Sequence, residues 1–517
     1  KPVLYTFTLF LSLWSCFYIG YMVCLFLSLY FLLLMLEERR AWAERLRSMG
    51  RFALYSLLAA GMAAIVLLPA WEALQKTIAS GMGFEGGLRW YHPLRELLAR
   101  FLPFGKIALA YEAPNLYCGV TTLALAFLFL VNSRIPLRRR LWRLALLLLL
   151  FISLNLNLAD YIWHGFHYPN QLPGRESFLL IFLLLTTAGD GAACFGRHGR
   201  AGDGAACLER REPAAGAARP AALVCSLLLM SGSMLNAGYQ FLTQTWVASN
   251  ASLLAQDGQM AALLEAVEAD AGRVSDEPPS FYRLEWSDPA KLNPGQQYGY
   301  AGVTWYSSTM PADAYYFFER LGLPVYAARV STKYVQSDIL NALFSIRYVL
   351  EDGQVRENPD VLPLAFLTGG EALDFDMEES GETGPDLQRR LWEAVSGGPE
   401  EELSGQVRRL NGQGLRISRW EGTYIAGEID CPGDGVLFTT LPDDGGWRIR
   451  IDAEEIPVET ACGYLCAARI GAGHHAVEFC YEPPGFAAGR LLSAVCLLAF
   501  LSISAGKRAY EKLKKSL

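Results

Sequence analysis

At 517 residues the chain can hold several domains, and its 52% hydrophobic content is gathered into stretches too long and too uncharged for a soluble core. The net charge of −7 averages two unlike parts: residues 238–489 carry 38 Asp/Glu against 17 Lys/Arg, or −21, leaving +14 for the remainder. A region this acidic is a poor candidate for non-specific binding of nucleic acid or anionic headgroups and reads as a solvated exterior domain.

In chain order, Lys1 leads directly into the apolar run Leu4–Trp14, with no further charged region and no small-residue cleavage site. The chain is therefore expected to be truncated at its N-terminus. Together with Cys16–Leu36 this run is too long for one membrane span and short for two, so a broken or re-entrant helix is expected near Ser15–Gly20. Further spans are expected at Phe52–Trp71, Tyr117–Val131, Leu141–Leu158, Ser177–Ala188, Ala221–Leu235 and Leu491–Ala505. Four clusters of basic residues (Arg39–Arg51, Arg134–Arg143, Arg197–Arg219 and Lys507–Lys515) fit one alternation that makes them all cytoplasmic. The same alternation puts Glu72–Asn115, Asp160–Glu176 and the acidic domain on the outer face. Within Thr186–Pro220 the seven residues Ala188–Cys194 recur as Ala201–Cys207, which reads as a local duplication in a flexible cytoplasmic loop, 189–219, without chemistry of its own.

Past Gly238 the pattern changes. Ala251–Ala271 has helical apolar spacing, and Asp338–Leu343 reads as a helix feeding the strand Ile346–Leu350. Gly369–Gly405 is acidic and weakly periodic, and is expected to be a loop or insertion. Leu415–Ser418, Tyr424–Ile429, Gly435–Leu441, Trp447–Ile451, Ile456–Thr460 and His475–Tyr481 have strand-like composition between Gly, Pro and Asp, which suggests a sandwich or jelly roll. The expected organisation is a multi-span helical membrane domain over 1–237, an extracytoplasmic domain over 238–489 with an α/β part to 350 and a β-rich part after it, and a last membrane helix with a basic tail over 490–517. Of eleven cysteines, only Cys431, Cys462, Cys466 and Cys480 lie away from spans. A disulfide between two of these is compatible with an exterior domain, Cys466–Cys480 across a hairpin being the simplest pairing. No CxxC pair or Cys/His spacing is present, so no metal site is assigned, and no cofactor or divalent metal is legible. No Ser-His-Asp or P-loop arrangement is legible either.

From Phe17-Tyr18-Ile19-Gly20-Tyr21-Met22 onward the chain resembles the YfhO family of bacterial membrane proteins, grouped with the GT-C glycosyltransferases. The resemblance continues in order through Leu68-Pro69, Asn115-Leu116-Tyr117-Cys118-Gly119, Trp163-His164-Gly165-Phe166, Pro169-Asn170 and Arg175-Glu176-Ser177-Phe178. It runs on through Phe281-Tyr282-Arg283, Tyr300-Ala301-Gly302-Val303, Ile346-Arg347-Tyr348, Leu362-Pro363-Leu364-Ala365-Phe366, Gly446-Trp447 and Gly473-His474-His475. Each motif alone is weak; their order and spacing are specific. Two positions depart from the family pattern: Glu176 replaces an aromatic after the membrane-edge arginine, and Asp452-Ala453 replaces an Asp-Gly turn. The resemblance implies a GT-C-like membrane core that moves a sugar from a polyprenyl-phosphate donor to an extracytoplasmic glycopolymer such as lipoteichoic acid, in a multi-pass protein of the bacterial cell membrane. It also implies that the catalytic acid sits in a first outer loop upstream of this sequence.

Transfer from a lipid phosphate needs a carboxylate to take the acceptor proton and cations or donors for the leaving phosphate. The outer loop around Arg175, His164, His167 and Asn170 offers those donors, Arg175 having the fork geometry for a lipid phosphate. On this loop Asp160 is read as a helix cap rather than a base. His92 and Arg95, beside Trp90 and Tyr91, mix aromatic faces with cations, and Asn115 and Tyr117 stand at the expected cavity mouth. Glu72 is an exterior carboxylate with a weaker claim. Trp305, Tyr306, Tyr315, Tyr316 and Trp447 suit either glycan stacking or core packing, with packing the simpler account. Two other readings compete. A transporter or flippase for lipid-linked sugars should show mid-membrane charges and inverted repeats, which this sequence lacks. A non-catalytic membrane-anchored glycan-binding protein would not need so many spans.

Overall fold

The computed structural model describes residues 2–38, 40–81, 84, 87–105, 112–167, 174–193, 231–232, 234–240, 242, 250–273, 281–287, 292–307, 309–326, 331–379 and 381–516. The chain divides into two compact units, one of residues 1–67, 82–247 and 492–517, the other of 68–81 and 248–491. The span expected at Ala221–Leu235 lies almost wholly outside the described residues.

The first unit is helical. The helices α1 (Pro2–Ser15) and α2 (Phe17–Glu37) are separated by one extended residue, Cys16, where the sequence led us to expect a break. Leu9 and Leu13 of α1 share a core with Val23, Cys24 and Leu27 of α2, so α1 folds back along its neighbour. Gly20 makes this approach feasible, since a Cβ there would lie 2.9 Å from Leu13 Cδ2 and 3.0 Å from its Cα. The helices α3 (Trp42–Met62) and α4 (Ala64–Gln75) meet at a bend of 75°. The bend has a visible cause. Ser493 of the last helix, Phe486–Ser516, accepts from the Ile65 N–H at 2.9 Å and donates to the Gly61 carbonyl at 3.3 Å, inserting its hydroxyl into what would be one i to i−4 bond.

Among the described residues the bundle continues with α6 (Val120–Val131), α7 (Leu137–Ser153), α8 (Asn157–Trp163) and α9 (Ser177–Ala193), after the short α5 (Leu94–Ala99). Met22, Phe26, Ala126, Leu146, Leu150, Leu180 and Leu183 form their shared core with α2. Among the described residues, Phe17–Glu37 and Phe486–Gly506 are long and apolar enough to cross a membrane, and α3 with α4 makes a third if the bent pair is one span; α1, α6 and α9 are apolar but shorter. The span expected at Leu141–Leu158 ends early, because the chain leaves the helix at Leu154 and begins α8 at Asn157. The loop expected over 189–219 is helical at its start, since α9 runs to Ala193, and the rest of it lies outside the described residues. Arg143 is not a loop residue either. It is buried on α7, paired with Glu37 of α2 at 3.1 Å and Asp190 of α9 at 3.2 Å.

The second unit is β-rich. Its strands are β1 (Arg283–Trp286), β2 (Trp305–Tyr306), β3 (Val325–Tyr326), β4 (Ser331–Thr332), β5 (Ile346–Glu351), β6 (Gln354–Glu357), β7 (Ala365–Thr368), β8 (Arg416–Glu421), β9 (Tyr424–Cys431), β10 (Gly435–Pro442), β11 (Trp447–Ile451), β12 (Glu454–Ile456), β13 (Glu459–Ala461), β14 (Leu465–Ile470) and β15 (Gly473–Tyr481). A four-stranded antiparallel sheet, β13-β14-β10-β7, and a five-stranded one, β12-β11-β15-β9-β8, share a core. Leu367, Leu437 and Ala468 come from the first sheet, Ile425, Ile449 and Phe479 from the second, giving the sandwich that the sequence suggests. Along β9 burial alternates, so its sheet has one solvent face. By contrast β10 is buried on both faces, because Val436 and Phe438 point into a second core built with helices.

Those helices correct one expectation. Gly369–Gly405 is not a loop: it contains Glu371–Asp374 and Pro385–Ser396, and Leu403–Asn411 begins at its end. The charged exposed face of Pro385–Ser396 hides the spacing Leu387, Leu391, Trp392, Val395, all of it buried. The helix over Asp338–Leu343 and the strand after it form as expected, with Ser337 Oγ accepting from Leu340 N–H as the cap. Cys466 lies on β14 and Cys480 on β15, in different sheets, and both are free, as are Cys431 and Cys462, so the Cys466–Cys480 hairpin bridge does not form.

Beside this sandwich, β1 pairs in parallel with β5 and buries Glu285. Its Oε1 accepts from the backbone N–H groups of Val303 and Thr304, while Oε2 has no partner. Burial pushes the carboxyl from its ordinary value near 4.5 up to about 7. The folded chain thus holds a proton that the unfolded chain has already released, so this group's contribution to stability is full below about 4.5 and is lost as pH rises through about 7. Glu285→Gln, which keeps the shape without the ionisation, is expected to flatten the fall of the second unit's thermal midpoint between pH 5 and 7.5. A fall of unchanged steepness in that variant would assign the slope to other groups.

Candidate functional site

The polar centre of the first unit is built at the break between α7 and α8. Asn155 and Asn157 sit in the apolar stretch that reads as a span, and both are buried. They act as clamps for the segment before α5: Arg89 N–H donates to Asn157 Oδ1 at 2.9 Å, His92 N–H to Asn155 Oδ1 at 2.8 Å, and Asn155 Nδ2 returns a bond to the His92 carbonyl at 2.8 Å. Trp90 and Leu156 pair as an isolated bridge between these bonds. The clamp fixes Tyr91, whose hydroxyl donates to Asp160 Oδ2 at 2.8 Å.

Asp160 is buried on α8, and one helical turn later His164 is buried at its end. Asp160 caps nothing, since Leu156 occupies the N-cap position. The carboxylate instead serves tertiary contacts, accepting from Tyr91 and from the Gly174 N–H at 3.4 Å. Gly174 has φ +72, and a Cβ on it would lie 3.0 Å from Pro114 Cγ, so the turn that brings this N–H inward requires glycine. His164 Nδ1 lies 2.7 Å from the Asp160 carbonyl and 3.1 Å from Asp160 Oδ1, while its Nε2 is buried without a partner. Two residues after Gly174, Glu176 is buried at the start of α9, and neither of its carboxylate oxygens has a partner in another residue. Ligand atoms of Asp160, His164 and Glu176 lie within 4.8 Å of one another. Burial, with the Asp160 carboxylate adding to it, pushes the Glu176 carboxyl up to about 8.

Around this trio stand Tyr18 and Arg175. The Arg175 guanidinium carbon is 5.1 Å from the Tyr18 ring centre, a cation–π distance, and the His164 ring lies 5.5 Å from the same ring. Arg175 and His164 of the expected loop therefore gather in one place. His167 points elsewhere, with Nδ1 at 2.8 Å from the Gly165 carbonyl. Asn170 falls outside the described residues. His92 contributes its backbone to the clamp, and its ring faces Glu96 at 3.8 Å; Arg95 is exposed, as is Asn115, and Tyr117 is half-buried. Glu72 is exposed and belongs to the second unit.

Sequence reasoning missed Tyr91 as a partner of Asp160, the two asparagine clamps and Glu176. One signal was present: Asn155 and Asn157 interrupt an apolar run that has no other reason to carry amides. In the second unit Tyr315 is buried, Trp305 packs against the core and Trp447 sits 5.0 Å from Tyr481, as packing residues do. A cavity of about 440 Å³ lies between Ser337, Gln388 and Arg389 and has no aromatic wall on which a sugar ring would stack.

No curated protein and no solved structure matches the chain. Residues 1–197, 215–397 and 393–493 match the family described as bacterial membrane protein YfhO, and the chain belongs to that family of membrane proteins.

Proposed function

We propose that this protein is an integral-membrane glycosyltransferase of the GT-C type, which moves a sugar from a polyprenyl-phosphate donor to an extracytoplasmic glycopolymer such as lipoteichoic acid. The observation that carries the reading is the buried assembly of Asp160, His164 and Glu176 beside Arg175. Two carboxyls and an imidazole withdrawn from water are costly to a fold unless they meet charge or a ligand. The adjoining guanidinium supplies the fixed positive charge that a lipid phosphate leaving group needs. In this reading the assembly faces the outer leaflet, Arg175 holds the donor phosphate with His164 bordering it, and a nearby carboxylate takes the proton of the acceptor hydroxyl. The β-rich unit lies outside the cell and meets the polymer.

Arg175→Ala in the full-length protein is expected to abolish sugar decoration of the cell-surface polymer while the amount of protein in the membrane stays normal. The assay is a transfer reaction with labelled polyprenyl-phosphate sugar and purified polymer. Undiminished transfer by the variant would remove Arg175 from the site.

A further inference from the structure

We propose that Asp160, His164 and Glu176 form a divalent-cation site with the character of a Mn²⁺ site. Four observations support it. First, the three side chains come from two helices and converge with ligand atoms inside 4.8 Å, which small side-chain shifts bring to the roughly 2.0–2.2 Å that carboxylate oxygen and imidazole nitrogen take around first-row divalent ions. Second, the imidazole is poised as a ligand. A proton on His164 Nδ1 is donated to the Asp160 carbonyl at 2.7 Å, which leaves the lone pair on Nε2, the buried nitrogen without a partner. Third, Glu176 is buried with both carboxylate oxygens unpartnered, an arrangement that a cation would satisfy and that no neighbouring side chain does. Fourth, the outer contacts of a metal centre are in place: Tyr91 Oη at 2.8 Å and Gly174 N at 3.4 Å hold the two oxygens of Asp160 from opposite segments.

Two carboxylates with one imidazole suit Mn²⁺ or Zn²⁺ better than the all-oxygen shell preferred by Ca²⁺. Three protein ligands leave coordination positions for an oxyanion, and Arg175 stands close by to share it. That use of the cation, binding the phosphate of the donor, rests on the glycosyltransferase reading; the site itself does not.

The experiment is Mn²⁺ binding to the full chain, purified in detergent, stripped with chelator and titrated under electron paramagnetic resonance. The expected result is one tightly held Mn²⁺ per chain in the wild type, with a nitrogen coupling in the pulsed spectrum. Glu176→Gln and Asp160→Asn should each weaken binding by ten-fold or more, and His164→Gln should erase the nitrogen coupling. Their thermal midpoints in metal-free buffer report folding separately from binding. Should a variant fail to fold, the wild-type spectrum still decides: a bound Mn²⁺ with histidine nitrogen supports the site, and no tightly bound ion overturns it. Unchanged affinity in folded Glu176→Gln and Asp160→Asn also overturns it. Stoichiometric binding by a full-length protein that shows no sugar transfer would leave the cation site standing and dismiss the reaction.

Discussion

Arg143→Ala is expected to destabilise the helical unit by roughly 3–5 kcal/mol, the usual consequence of stranding one member of a buried ion pair. Arg143 is almost wholly enclosed, and its guanidinium meets Glu37 through two bonds, Nε to Oε1 at 3.1 Å and Nη2 to Oε2 at 3.4 Å. Nη1 also reaches Thr187 Oγ1 at 3.2 Å, and Arg139 donates to Glu37 and to Asp190 at 3.3 and 3.0 Å. One arginine therefore ties α2, α7 and α9 together, and its removal leaves Glu37, whose side chain is 4% exposed, with the half-exposed Arg139 as its remaining partner. The double variant Arg143→Met with Glu37→Leu should recover most of the loss, because it removes both charges and fills the space. Thermal unfolding in detergent, followed through the helical circular dichroism signal, checks both. A single variant as stable as the wild type would show that Arg139 alone suffices for Glu37.

A loss of similar size, roughly 3–5 kcal/mol, is expected for Trp392→Ala in the second unit. Trp392 is completely buried, and its indole N–H donates to Gln406 Oε1 at 2.5 Å, an oxygen that also accepts from Ser396 Oγ at 2.8 Å. Alanine opens a large cavity in the mixed core that Trp392 shares with Leu387, Leu391, Val407 and Leu410. Phenylalanine at the same position fills most of that space and loses one hydrogen bond, while Gln406 keeps Ser396, so a loss of about 1–2 kcal/mol is expected. Infrared melting curves read at the β-sheet band separate the two cases. Equal losses for alanine and phenylalanine would mean that the hydrogen bond, rather than the volume, is what Trp392 supplies.

Much of the organisation is legible without a structure because it follows from simple periodicities. The helix break at Cys16 follows from an apolar run of the wrong length, and the sandwich strands β9, β10, β11 and β15 follow from short runs between Gly, Pro and Asp. β14 is harder to read: Ala467 and Ala468 have little strand preference and are small because the strand is buried on both faces. The helix Pro385–Ser396 is masked for the opposite reason, since its solvent face carries enough charge to hide four buried apolar positions.

The sequence by itself determines the apolar helical and acidic β-rich parts and the family, because burial patterns and ordered motifs are local properties of the chain. It also marks Arg175 and His164. Only the tertiary structure decides that Asp160 serves as a buried partner rather than a cap, that Tyr91 reaches it from 69 residues away, and that Glu176 closes the same cluster. Those facts depend on two asparagines pinning one segment against another and on a glycine that lets a third come close, and a one-dimensional pattern does not record such meetings.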